Sequence, residues 1–181
     1  AYTEHGGSYL PGGESTADGY GIYMMQQVGA MIEEESMSYV PTFPMGLDTG
    51  SGPGEIRPTY TWKAGGICVN QEGNRFVDET EDQVEVREVA LEQQTDAVQY
   101  DIFSSTIVEY LTANPMVSVF YTYFFADGMP YSKYVVSADS LEELAEKIGV
   151  PAENLVATVE NYNAHVESGE PDEFGRQFTE D

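Results

Sequence analysis

Gly65–Glu79 reads GGICVNQEGNRFVDE. A short β-rich apolar run, a cluster of turn formers and a second short apolar run predict a hairpin here. GICVN is the first strand, QEGN the turn, with Gly73 available for positive φ, and RFV the second strand. Cys68 sits in the first strand between Ile67 and Val69 and reads as a small buried hydrophobe. It is the only cysteine, which excludes an intrachain disulfide.

Downstream, Asp82–Gln94 has helical composition, with Val86, Val89 and Ala90 as a modest apolar face. AVQYDIF (97–103) and SVFYTYFF (118–125) have strand character, and TIVEYLTAN (106–114) between them reads as helix. ADGMP forms a turn, after which YSKYVV (131–136) resumes as strand or extended chain. Ser140 and Glu143 form a capping box ahead of LEELAEKIG, and Gly149 ends that helix. Pro151 opens a second helix with Leu155, Val159, Tyr162 and Val166 on one face, terminated by Gly169.

Upstream, Gly19–Glu35 places Ile22, Met25, Val28 and Ile32 at helical spacing behind a capping box of Ser15 and Asp18. Ser36–Lys63 is a long loop rich in Pro (41, 44, 53, 58) and Gly (46, 50, 52, 54). It carries Arg57, Tyr60 and Trp62, and either forms a binding surface or links two parts with incidental aromatics. The sum is an α+β chain, a small mixed sheet with helices packed on it.

Composition narrows the function classes. With 32 acidic and 7 basic residues the net charge is −25, which repels phosphate backbones and excludes nucleic-acid binding. No stretch approaches the roughly 20 apolar residues of a membrane span. His5 and His165 are far apart and read as non-ligands, and DETEDQVEVREV has Gln83 and Val89 where a calcium loop needs Gly and Glu. No metal is expected. The chain begins without Met and both ends are polar, as in a piece of a longer protein, so compartment stays open.

Three segments in order resemble the flavoprotein subunits of the fumarate reductase and succinate dehydrogenase family, which includes 3-ketosteroid dehydrogenases and urocanate reductases. STADGYGIYMMQQVGA is similar to that family's T-G-D-G-I-x-M-A-x-x-x-G-A helix, GGICVNQEGNRFVDE to its G-G-I-x-V-N-x-x-G-x-R-F-V-N-E, and SLEELAEKIGVPAENLVATVENYNAHVESGEPDEFGR to its helix pair and F-G-R ending. The resemblance implies a capping domain (41–181) that encloses a substrate against FAD. Residues 1–40 would belong next to a flavin domain. The Rossmann G-x-G-x-x-G that opens such a flavin domain is absent here, so FAD would be held mainly by a domain outside this chain. The implied partners are that flavin-binding domain and a small unsaturated acid or ketone.

The family's proton-donating Arg falls, on ungapped matching, at Gln83, which cannot donate a proton in that role. The nearest Arg is Arg87, which either enters the site through a local gap or pairs with Glu85, Glu88 and Glu92 on a solvated face. The family's His, Glu and Arg before the GGI strand are replaced by TYTWKA, which argues against ordinary dicarboxylate reduction. Candidate catalytic residues are Arg87 and Glu79; candidate substrate-binding residues are Arg57, Tyr60 and Gln83. Asp18, Gly19 and Glu79 are the candidate cofactor contacts. Of the thirteen tyrosines, Tyr60, Tyr100, Tyr121 and Tyr123 are conceivable acid–base groups, as in ketosteroid dehydrogenases. The alternative is a non-catalytic acidic binding module that keeps the cap fold.

Overall fold

The computed structural model describes residues 18–31, 46–47, 55–56, 60–115 and 118–178. The chain divides into two compact units, Ala1–Pro58 and Thr59–Asp181. The expected boundary at residue 40 lies outside the described residues.

In the first unit, helix α1 spans Tyr20–Gln27 and is followed by Gly29 at a left-handed φ of 87°; the remainder of the expected helix, 32–35, lies outside the described residues. Ser15 lies outside the described residues; the N-cap is Gly19, which has no side-chain capping bond, and Asp18 just before it accepts at Oδ1 from the Tyr20 amide at 2.9 Å. The expected Pro/Gly loop contains a short antiparallel ribbon, β1 (Gly46–Leu47) against β2 (Glu55–Ile56).

The second unit begins with a 3-10 turn, Tyr60–Ala64, leading into β3 (Ile67–Val69). Helix α2 (Val84–Glu92) and strand β4 (Tyr100–Ile102) follow, then α3 (Ser105–Ala113), α4 (Ser118–Phe125), α5 (Leu141–Ile148) and α6 (Ala152–Ser168). The helix-rich α+β reading stands, but the sheet is antiparallel rather than mixed: β3 pairs with β4, Cys68 opposite Asp101.

The expected GICVN/RFV hairpin does not form. Its turn does: the Asn70 side chain accepts from the amides of Glu72 and Asn74, and Gly73 has φ 79°. Yet the Cys68 amide, on the edge where RFV would pair, donates at 3.0 Å to the Glu79 carboxylate. A buried side chain has taken the hydrogen bond a second strand needs, and residues 75–78 run as irregular chain instead. Thr158 and Asn154 of α6 hold this turn through the Gly73 and Glu72 carbonyls, both at 2.8 Å. A Cβ at Gly73 would come within 3.1 Å of the Leu155 amide nitrogen, so this position needs glycine for space as well as for φ.

SVFYTYFF is helix α4, not strand. An apolar run of this length is ambiguous by periodicity. Here Tyr121 and Phe124, three apart, are buried on one face, with Phe125 stacked on Tyr121 at 5.9 Å. YSKYVV forms no strand; Ser132–Tyr134 make a 3-10 turn, and the extended alternative holds at Val135.

The α5–α6 pair follows the sequence closely. Ser140 Oγ accepts from the Glu143 amide at 3.1 Å, and Gly149 and Gly169 end the helices with φ 80° and 70°. Pro151 serves as N-cap of α6, one position before the first turn. The core joins Ile67 and Val69 of β3 to Ala145, Val150, Leu155 and Tyr162 of this pair. That packing fixes the end of α6 and the tail after it, which carry half of the charged cluster described next.

Candidate functional site

Four charged side chains meet under β3: Arg75, Glu79, Asp172 and Arg176, each no more than 8% exposed. Glu79 is central. Its Oε1 accepts from the Cys68 amide (3.0 Å) and Arg75 Nε (2.8 Å), and its Oε2 from Arg75 Nη2 and Arg176 Nη1 (both 2.8 Å). A carboxylate has about four acceptor positions, and here protein donors fill them. Arg75 Nη1 reaches Asp172 Oδ2 at 2.6 Å, while Asp172 Oδ1 accepts from the amides of Phe174 and Arg176, both at 2.9 Å. The two cations and two anions sum to zero, which is how charges are tolerated at such depth.

Tyr162 forms the floor. The Cζ atoms of Arg75 and Arg176 each lie 5.1 Å from its ring centroid, and its hydroxyl donates to the Gly65 carbonyl at 3.2 Å. Burial pushes the Tyr162 phenol up, so it stays neutral. Burial acts to lower Arg75, but its bonds to Glu79 and Asp172 outweigh this and raise it. Burial also pushes Asp172 up, and the bonds from Arg75 and the Arg176 and Phe174 amides more than offset it, leaving the carboxyl below its usual 3.8. A carboxyl depressed on folding contributes stability above its unfolded value and loses it as pH falls through its folded one. The second unit is therefore expected to lose stability below about pH 3.8, and Asp172→Asn to flatten that acid limb of a denaturation-midpoint profile.

Above this cluster, Arg176 Nη2 donates to the Trp62 carbonyl at 3.0 Å and Nη1 to that of Gly66 at 3.1 Å. The Trp62 ring, 4% exposed, lies 5.4 Å from the Arg87 guanidinium carbon. Arg87 Nη1 reaches the Glu79 carbonyl at 3.5 Å, a long contact, and its Nε is buried with no hydrogen-bond partner among the described residues. A buried, unpaired guanidinium donor calls for an explanation, because leaving one unsatisfied costs about 1–3 kcal/mol or more.

Cys68 lies nearby as expected, buried at 5%, its thiol donating to Asp101 Oδ1 at 3.2 Å. Burial, then the Asp101 and Glu79 charges, push it well above its usual value, so it is no thiolate nucleophile.

Of the other candidates, Gln83 is the exposed N-cap of α2, four residues before Arg87 and on the same helix face. Tyr121 is fully buried, Tyr100 half-buried and Tyr123 exposed. Arg57 lies outside the described residues, and Tyr60 starts the 3-10 turn. The structure thus brings Glu79 and Arg87 together. Arg75, Asp172 and Arg176 stand inside two distant motifs and Trp62 just before one, so no local pattern groups them; the opposite charges of the first three were the available signal.

The described residues do not by themselves fit a dinucleotide diphosphate. Helix α1 has a left-handed glycine, Gly19, at its start, but the carboxylate of Asp18 already holds the Tyr20 amide and brings negative charge there. Among the described residues a Cβ at Gly19 would meet nothing within 4 Å, so they form no cradle around it. Among the described residues no group of three His, Cys, Asp or Glu side chains could hold a metal, and no helix is long and apolar enough to cross a membrane.

Comparison with known proteins gives the wider frame. The chain is similar to 4-oxocyclohexanecarboxylate 2-dehydrogenase of Sinomonas cyclohexanicum, 30% identical over 166 residues, 91% of this chain and 28% of that protein. It is also similar to NADH:fumarate oxidoreductase of Klebsiella pneumoniae, 36% identical over 168 residues, 88% of this chain and 15% of that protein. The chain thus spans little more than a quarter of the one and less than a sixth of the other. The open conformation of a flavocytochrome c3 fumarate reductase shares the fold, with a TM-score of 0.68 over 94% of this chain and 27% of that one, at 23% identity. A family model described as the FAD binding domain matches residues 5–180. The chain belongs to this FAD binding domain family, the fumarate reductase-like flavoprotein oxidoreductases whose cofactor is FAD.

Proposed function

We propose that this chain is the substrate-side cap of an FAD-dependent oxidoreductase acting on a carbon–carbon bond next to a carboxylate or carbonyl. FAD is held mainly by a domain outside it, with Asp18 and Gly19 at the junction. The observation that carries this reading is Arg87: a guanidinium stacked on Trp62 whose buried Nε has no partner among the described residues. A carboxylate or carbonyl oxygen is the acceptor such a donor lacks, and a guanidinium binds it in a planar fork. The cofactor supplies the hydride chemistry, and the protein's part is orientation and electrostatics.

In this reading Arg87 takes up the place of Gln83 one helical turn later, which the shared face of α2 allows. Gln83 is a hydrogen-bonding neighbour. Glu79 acts as a support: with its acceptor positions filled, it has no lone pair left for use as a base. The two named relatives, one for fumarate and one for an oxo acid, support an unsaturated acid or ketone as substrate. Titrating FAD against the isolated chain tests the division of labour. No saturable quenching of flavin fluorescence is expected at micromolar concentrations, and a stoichiometric yellow complex would overturn it.

A further inference from the structure

We infer that Arg176, with Glu79 and Trp62, positions Arg87. The inference rests on the reading of Arg87 as the substrate-facing cation and adds what holds it there. Among the described residues Arg87 meets the Trp62 ring at 5.4 Å and the Glu79 carbonyl at 3.5 Å. Arg176 grips both: Nη2 bonds the Trp62 carbonyl, and Nη1 bonds the Glu79 carboxylate and the Gly66 carbonyl.

The turn so held has little slack. The Gly66 amide donates to the Thr61 carbonyl at 2.8 Å, and a Cβ at Gly66 would stand 3.0 Å from the Thr61 carbonyl atoms. A rigid turn sets the plane of the indole, and the indole sets the guanidinium. Arg176 lies 97 residues from Glu79 and 114 from Trp62, so the tail after α6 fixes a group on α2 that the described bonds do not link to it directly. Lysine keeps the charge but loses the fork that spans three acceptors.

The test reads the Arg87 Nε–Hε signal by NMR in the nitrogen-15-labelled chain without substrate, assigned by its loss in Arg87→Lys. The signal is expected away from those of exposed arginines, because of the indole ring current, and slow to exchange. Arg176→Lys is expected to move it towards them and speed exchange about tenfold, between the scales of an exposed and a desolvated cation–π contact. Trp62→Phe, which leaves the backbone bonds in place, is expected to keep the slow exchange with a smaller shift. It keeps the test open if the lysine variant does not fold.

Leu155→Ala, a core change, is expected to lower the melting temperature and leave the signal in place. Arg176→Lys that lowers the melting temperature but leaves the Arg87 signal unmoved would overturn the inference, as would Trp62→Phe with an unchanged shift. Both readouts need no turnover, so a failure of the oxidoreductase reading would appear separately.

Discussion

Glu79→Ala is expected to lower the unfolding free energy of the second unit by about 3–5 kcal/mol, the usual cost of removing one partner from a buried ionic network. Its carboxylate is 1% exposed and receives four hydrogen bonds, three from guanidinium groups. Without it Arg75 and Arg176 remain buried side by side over Tyr162, with Asp172 as the one anion left, bonded to Arg75. The Cys68 amide also loses its acceptor. Guanidinium-chloride unfolding measures this: the midpoint should fall while the slope holds. Glu79→Gln keeps the shape and part of the bonding, so its loss should be smaller. A change below about 1 kcal/mol for the alanine variant would mean the network is replaceable by water.

Arg87→Gln should leave stability within about 1 kcal/mol, because its one hydrogen bond is long and its buried Nε has no partner among the described residues. Its effect belongs to activity. In the chain joined to its flavin-binding partner, kcat/KM for an unsaturated acid is expected to fall about 10²–10⁴-fold, the range of a positioned acid or charge-stabilising group. Arg87→Lys should recover only part of this, since the ammonium keeps the charge but not the fork. Gln83→Ala, at an exposed N-cap whose side chain makes no capping bond, should cost less. Equal losses at both positions would contradict the assignment of the cation to Arg87.

What the sequence disclosed followed from how local each signal was. The α5–α6 pair was legible because its signals, the Ser140–Glu143 box and the Gly149 and Gly169 stops, act within one turn. Gly73 was legible for the same reason. The failed hairpin was not: RFV has strand composition, but the edge it needed is held by a carboxylate eleven residues beyond Cys68. SVFYTYFF misled because a short run of aromatics fits a buried strand as well as a helix, and packing against Phe103 and Tyr131 decided it.

The site was half legible. Glu79 and Arg87 stood out singly, from the motif and from the sequence around Gln83. Their connection through Arg176 and Trp62 spans about a hundred residues and depends on a guanidinium bonding backbone carbonyls, which no spacing rule encodes. Arg75 and Asp172 belong to two separate motifs, and only the folded chain shows that each motif supplies one cation and one anion to a neutral cluster.

The proposed role of this chain is to close a substrate site over a flavin held elsewhere. Its most direct test is dye-coupled turnover of the chain joined to a flavin-binding partner, with unsaturated acids and ketones as oxidants and the corresponding saturated compounds as reductants. Turnover that needs both parts and collapses with Arg87→Gln is the expected result; a well-folded, flavin-loaded protein that turns over none of them, or one indifferent to Arg87, would contradict it.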